Sequence, residues 1–290
     1  MSEIALAVIG GSGLYNMAEM TAVESVSIDT PFGRPSDSIT VGTLHGRRVA
    51  FLPRHGRGHV LTPTEVPYRA NIFALKTLGA RYIVSVSACG SLREDFAPGE
   101  IVVPDQLFDF TKGTRERSFF GNGLVAHVAV AQPFCPHLSA ALAEATEAAG
   151  GRLHRGGSVI TVEGPRFSTR GESEIFRQWG MSAIGMTTSP EAFLAAEAEI
   201  SYACMIHITD YDVWHHSEAP VTVEMVVRVL RANTALAQAA ISALVAGYDD
   251  WAGEFPAHSA LKDAIITPAE HIPSGVRADL QPIIGKYLPG

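Results

Sequence analysis

Cysteine, positive charge and long apolar runs are all scarce in this sequence, and each shortage closes off a class of protein. The three cysteines, Cys89, Cys135 and Cys204, show no paired spacing. Buried free thiols in a reducing compartment are therefore expected rather than a disulfide framework. Lys and Arg number 22 against 30 Asp and Glu, for a net charge of −8. With no basic face to displace counterions, a general nucleic-acid binder is excluded. No apolar stretch approaches the roughly 18 residues that cross a bilayer. Ile4–Ile9 is too short for a secretory leader and runs straight into glycines. A cytoplasmic protein without membrane contact is expected. Also missing are a G-x-x-x-x-G-K-[ST] phosphate loop and the third glycine of a dinucleotide fingerprint, since counting from Gly11 its place is taken by Asn16. His215-His216 has neither H-E-x-x-H spacing nor a third ligand, so the pair reads as surface histidines and no metal is expected.

What the chain does have is a succession of short apolar runs, each ending in small polar residues. The organising stretch is Val159–Pro190. Within it Val159–Val162 and Ser182–Met186 read as buried strands, joined by a helix over Thr169–Trp179. A strand–helix–strand unit of this length implies parallel strands, and ligands of parallel sheets sit beyond the carboxyl ends. Glu163, Gly164, Phe167, Met186 and Thr187 should then share one mouth. Further strands are expected at Ile4–Ile9, Tyr82–Val86, Ile101–Val103 and Tyr202–Ile208, with a hairpin of Ser38–Thr43 and Arg48–Pro53. Helices are expected at Thr64–Leu78 with Thr64 as N-cap, Pro136–Ala149, Ser189–Ala198 with Ser189 as N-cap, and Thr222–Ala246. Residues 105–123 read as irregular. The fold class is α/β, a single domain around a central mixed β-sheet flanked by helices. The expected division is 1–247 for that domain and 248–290 for an extension. Its stripe of Leu280, Ile283, Ile284, Tyr287 and Leu288 must pack on its own or a neighbouring subunit.

Five strand ends carry the chemistry: Ser12 in Gly10-Gly11-Ser12-Gly13, Arg54 and His55, Ser87 and Ala88, Thr187, and Asp210 with Asp212. The first four supply hydroxyls, backbone N–H groups or cationic heads, which together suit a tetrahedral oxyanion. The glycine turn also suits a plain tight turn, and Arg54–His59 also suits a solvated charge run. The fifth end is different. Carboxylates at i and i+2 on an extended segment share a side, and each opposes the other's ionisation. The pair also suits a cap, and Glu163 suits either a sugar hydroxyl or a loop cap, the latter being preferred.

The motifs IGGSG, TPFGRPSD, RHGRGH, YRANIFALK, SACGSLRE, PFCP, TVEGPRFSTRGES, MTTSPEA and TDYDVW occur in this order over residues 4–246. The chain thereby resembles the 5′-methylthioadenosine phosphorylases, in the trimeric branch of the purine nucleoside phosphorylases. The resemblance implies a nucleoside phosphorylase-like fold and phosphorolysis of a 5′-substituted adenosine by inorganic phosphate, a co-substrate, with no cofactor. It implies that Ser12, Arg54, His55, Ser87, Ala88 and Thr187 hold phosphate. Met186 would lie along the ribose, Phe167 against the purine, and Asp210 and Asp212 on the purine edge. His127 would reach a neighbouring subunit's sugar pocket in a homotrimer or a dimer of trimers. Asp at 210 suits the donor–acceptor edge of adenine, whereas Asn would suit a 6-oxopurine. Asp210 is the expected general acid, with Asp212 raising its pKa. Two other readings remain: a phosphorylase of 6-oxopurine nucleosides, and a non-catalytic nucleoside-binding module. The 5′ group, methylthio, hydrogen, hydroxyl or halogen, is read by an apolar wall expected from Val223, Val226 and the tail. Such a wall separates these groups by only ~1–3 kcal/mol each.

Overall fold

A computed structural model of the chain describes residues 4–11, 13–215 and 223–288, with the backbone alone for 223 and 225–232. Ser12, His216, the expected helix start at Thr222, and the side chains of Val223 and Val226 lie outside the described residues.

The chain runs through β1 (Leu6–Gly10), β2 (Thr21–Val26), β3 (Ile39–Leu44), β4 (Arg47–Pro53), α1 (Tyr68–Thr77), β5 (Tyr82–Ser91), β6 (Ile101–Val103) and β7 (Gln106–Phe110). It continues with α2 (Pro136–Ala148), β8 (Leu153–Arg155), β9 (Ser158–Val162), α3 (Arg170–Gln178), β10 (Ala183–Gly185), α4 (Thr188–Glu197), β11 (Ser201–Asp210) and α5 (Val223–Ala246). Three short helices, α6 (Tyr248–Trp251), α7 (Ser274–Asp279) and α8 (Gln281–Ile284), follow. All the described strands join one mixed sheet, ordered β2-β3-β4-β1-β5-β10-β9-β7, with β11, β6 and β8 branching from β5.

Alternation along the central strands sorts side chains onto two faces. Leu6 and Val8 of β1, with Val84 of β5, pack with Leu138 of α2 and Ile241 of α5. Ala7 and Ile9, with Ile83, pack with Ile72 of α1 and Leu194 of α4. Helices thus cover both faces, and β11 is buried along its whole length. β9 and β10 are parallel, Ala183 standing opposite Val159. α3 opens on a capping box in which the Thr169 hydroxyl and Glu172 N–H meet while the Glu172 carboxylate takes the Thr169 N–H.

Four local expectations differ. Thr64 does not cap α1, because Pro67 disfavours helix in the residue before it and the helix starts at Tyr68. Thr64 instead donates to Glu163. Residues 105–123 are not wholly irregular, since β7 pairs in parallel with β9. β2 and β8 are additional strands, one exposed and one only three residues long, so neither shows an apolar run. Finally, β5 continues to Ser91.

The C-terminal stripe is covered by its own chain. Leu280, Ile283 and Ile284 sit in the same core cluster as Ile72, Leu75 and Leu194. Buried Glu199 fixes the end of the tail through Lys286 (2.5 Å), the Tyr287 hydroxyl (2.6 Å) and the Leu261 N–H (2.9 Å). Leu280, Ile283 and Ile284 are thereby buried in the core, while Tyr287 and Leu288 pack against it and stay partly exposed. Ile284→Ala should lower unfolding stability by about 2–5 kcal/mol, read from the urea midpoint at unchanged slope. A loss under about 1 kcal/mol would mean that the tail is not part of the folded core.

Candidate active site

An interruption in the ladder of β5 creates the site. On one edge β5 pairs with β11 from Tyr82 to Gly90. On the other, β1 pairs only with Ile83–Ser85 and β10 resumes at Gly90 and Ser91. Between them, residues 86–89 face no strand on that edge among the described residues. β10 runs antiparallel to β5, so its register continued places Met186 and Thr187 level with Ala88 and Ser87. β4 runs parallel to β1 and delivers Arg54 and His55 at the same end.

Arg54 is buried and almost fully engaged. Its guanidinium grips Glu191 of α4 through Nε (2.8 Å) and Nη2 (2.9 Å), and donates to the Ser85 hydroxyl (2.7 Å) and the Val86 carbonyl (3.1 Å). Tyr202 adds a hydroxyl to Glu191 at 2.8 Å. Burial works against the charge, but the Glu191 carboxylate outweighs it and keeps the guanidinium protonated. One Nη1 hydrogen remains beyond these bonds.

His55 is not a cationic head. Burial and the neighbouring Arg54 charge bring its pKa down to about 4. Its Nδ1 lies 2.9 Å from the Leu61 carbonyl, so Nδ1 carries the proton and Nε2 is an acceptor. The rest of the basic cluster turns elsewhere: Arg57 pairs with Asp37 (3.6 Å), and His59 stacks on His55 (4.3 Å). Thr187 and Ser87 are buried, Ala88 is half-buried, and the buried Thr188 hydroxyl has no partner among the described residues. Beside Ser12, Gln238 of α5 holds the glycine turn through the Gly13 carbonyl (2.9 Å).

Asp210 and Asp212 come together at the end of β11, though not by extended geometry. Asp212 has φ +50°, and its N–H turns back to Asp210 Oδ1 at 2.7 Å. Asp210 Oδ2 accepts from the Thr209 hydroxyl at 2.6 Å. Burial raises the Asp210 pKa against these two hydrogen bonds. Asp212 is raised further, to about 6, by burial first and by the charge of Asp210 in addition. A hydrogen bond with the buried Ser173 hydroxyl works against both.

Met186 lies against Gly164, where a Cβ would fall 2.6 Å from its sulfur. Glu163 is structural. It takes the Thr64 hydroxyl (2.5 Å), the Lys112 N–H (2.6 Å) and Arg115 Nε (3.0 Å), which outweigh burial and bring its pKa to about 2. Phe167 is 37% exposed. His127 is exposed, with its N–H on the Ala264 carbonyl, and no bond of its side chain joins it to the strand ends. His215 is not a surface histidine: its side chain is 15% exposed and stacks on Tyr211 at 4.6 Å. Among the described residues no three His, Cys, Asp or Glu converge as metal ligands. Sequence reasoning missed Glu191 and Arg115. A single inward arginine in an exposed stretch leaves no periodic signal.

The sequence profile described as "Phosphorylase superfamily" matches residues 5–246. An S-methyl-5′-thioadenosine phosphorylase of Chloroflexus aurantiacus is 55% identical over 287 residues, covering 99% of both chains. Among solved structures, a methylthioadenosine phosphorylase from an antarctic soil metagenomic library superposes with TM-score 0.93 at 47% identity, covering 98% of this chain and 99% of the other. A methylthioadenosine phosphorylase of Schistosoma mansoni in complex with adenine gives 0.82 at 33% identity, covering 97% and 98%. With a mixed sheet that opens along β5 and a buried acid pair at its rim, the chain belongs to the phosphorylase superfamily, among the S-methyl-5′-thioadenosine phosphorylases.

Proposed function

We propose that this protein cleaves 5′-deoxy-5′-(methylthio)adenosine, or a closely related 5′-substituted adenosine, with inorganic phosphate, giving adenine and the 5-substituted ribose 1-phosphate. The observation that carries the reading is the buried Asp210–Asp212 pair beside Gly90, at the end of the β5 opening where Arg54 bonds Val86 and the β10 register brings Thr187 level with Ser87. Adenine offers N7 as acceptor and its amino group as donor. A carboxyl pair holding one proton complements both, and protonation of N7 turns the base into a neutral leaving group.

The two carboxyls titrate as a unit. Asp212, with its pKa raised to about 6, carries the shared proton in mildly acidic solution, while Asp210 is oriented by Thr209 and the Asp212 N–H. Phosphate would be held by Ser12, the remaining Arg54 hydrogen, and the Ser87, Ala88 and Thr187 groups. Neutral His55 would accept a hydrogen bond from monohydrogen phosphate at Nε2. Anionic phosphate beneath the anomeric carbon stabilises the oxocarbenium-like centre and then captures it. Met186 and Phe167 would line the ribose and purine, and Val223 and Val226 the 5′ group. His127, exposed on this subunit, would serve the next one in a cytoplasmic homotrimer, an assembly that sedimentation of the intact protein decides.

Three outcomes test this reading. Adenine release from methylthioadenosine, followed by absorbance, should require phosphate and exceed inosine turnover by at least ~10²-fold. Equal inosine turnover would defeat the specificity, and binding without turnover would leave a module. Asp210→Asn should lower kcat by ~10²–10⁴-fold with little change in nucleoside affinity. In the native enzyme the protonated pair is the active form, so kcat/KM should fall as pH rises through about 6, a limb that Asp212→Asn removes. A flat profile in the native enzyme would take the acid role from the pair. Arg54→Ala should act first on folding, at about 3–5 kcal/mol, because it leaves Glu191 buried without its cation. Thermal unfolding unchanged by that substitution would contradict the buried pair.

A further inference from the structure

Arg115 stands out once the strand-end groups are assigned. It lies in a stretch whose neighbours at 112–114 and 116–117 are exposed, yet its own side chain is fully buried. One Nη1 donates to the Met186 carbonyl (2.7 Å) and to the Ser189 carbonyl (2.8 Å). Nη2 donates to the Glu163 carbonyl (2.7 Å), and Nε to the Glu163 carboxylate (3.0 Å). The Tyr68 hydroxyl, itself bonded to the Pro63 carbonyl, lies 3.3 Å from Nη1.

The two carbonyls on Nη1 bracket Thr187 and Thr188. Past Gly185, where β10 ends, that backbone has no strand ladder to hold it, and Ser189 has an extended conformation (φ −100°, ψ 134°) before the helix proper. Its other tether is the Ser189 N–H on the Thr161 hydroxyl, at 3.2 Å. A planar fork that satisfies two carbonyls with one nitrogen and a third with the next fixes both the position and the tilt of the segment.

We propose that Arg115 is a positioning residue of the phosphate site. It sets the Thr187 hydroxyl, and with it the Met186 side chain, by clamping the ends of β9 and β10 to the start of α4. Glu163 holds the clamp in place from the opposite side. The inference rests on the phosphorolysis reading, since it assigns Thr187 to phosphate.

The test compares Arg115→Lys, which keeps the charge but not the fork, with Thr187→Ala and the double variant. Three quantities are read on each folded enzyme: the KM for phosphate, the KM for methylthioadenosine, and the shift in Tm caused by inorganic phosphate alone. Arg115→Lys should raise the phosphate KM by about 10–100-fold, the range for a misplaced hydrogen bond to an anion. The phosphate-induced Tm shift should shrink in step. Nucleoside KM should change less than phosphate KM. In the Thr187→Ala background the further effect of Arg115→Lys on phosphate KM should vanish, because the group it positions is gone. Glu163→Gln should move phosphate KM in the same direction by a smaller factor.

An Arg115→Lys enzyme with lowered Tm but native phosphate KM would make the residue merely structural and overturn the proposal. Full additivity with Thr187→Ala would overturn it equally. Should the native protein neither release adenine nor gain Tm with phosphate, the phosphorolysis reading itself falls and the positioning role with it. Native turnover with an unaffected Arg115→Lys phosphate KM defeats the positioning role alone.

Discussion

The ion pair between Arg54 and Glu191 is the constraint on which the site's architecture rests. It lies wholly inside the protein and joins the end of β4 to the first turn of α4, with the middle of β5 bonded to the same guanidinium. Taking two charges out of water costs several kcal/mol per ion, and an apolar pair of similar volume is often as stable or more so. Stability is therefore a weak reason for such a pair. Its geometry supplies a better one. The carboxylate neutralises most of the guanidinium and fixes its plane, leaving a single hydrogen and a residual positive edge at the β5 opening. An anion arriving there meets a group that needs no reorientation, which is how preorganised sites lower barriers.

The same low dielectric sets the protonation of everything else nearby. Burial pushes acids up and bases down. Asp212 accordingly keeps its proton into the mildly acidic range, at about 6, while His55 loses its own by about 4. Around pH 6 and below, the base end and the phosphate end thus hold opposite tools, a carboxyl pair still able to give a proton and a neutral imidazole nitrogen that accepts a hydrogen bond without taking the proton. Neither state follows from residue type alone. Asp is ordinarily charged at this pH, and a histidine beside an arginine in an anion site would ordinarily be read as a second cation.

Much of this was legible in the sequence because strand ends write themselves plainly. Apolar runs such as Tyr82–Val86 and Tyr202–Ile208 terminate in small polar residues, and the order of those endings is the order of the site. The readings failed wherever a residue's partner lies far away in sequence. Glu191 looks like a favourable charge at a helix start, and only the fold brings Arg54 to it across 137 positions. Arg115 sits among exposed residues and shows no pattern, because the carbonyls that need it belong to β9, β10 and α4. Thr64 has the chemistry of a cap, but Pro67 moves the helix start and frees its hydroxyl for Glu163. β2 and β7 escaped for a different reason. They are the terminal strands in the order of the sheet, and an edge strand need not bury a face.

β5 carries both halves of the chemistry, and this explains a glycine that no turn demands. Gly90 lies in the strand, opposite Asp210 on one edge and Ile184 on the other. A Cβ there would stand 3.0 Å from Asp210 Oδ1, and 3.2 Å from both Asp212 Cβ and Ile184 Cγ2. Three neighbours from two strands close on the same point, so no single side-chain rotation makes room. The absence of a side chain lets the acid pair sit directly against the strand whose preceding residues, Ser87 and Ala88, are the ones we propose for phosphate. On the proposed reading, the span between proton donor and nucleophile would be set by a few residues of one β-strand rather than by loops. In-line attack requires reacting atoms about 3–3.5 Å apart, and a strand held by β11 on one edge keeps that span more firmly than a loop would.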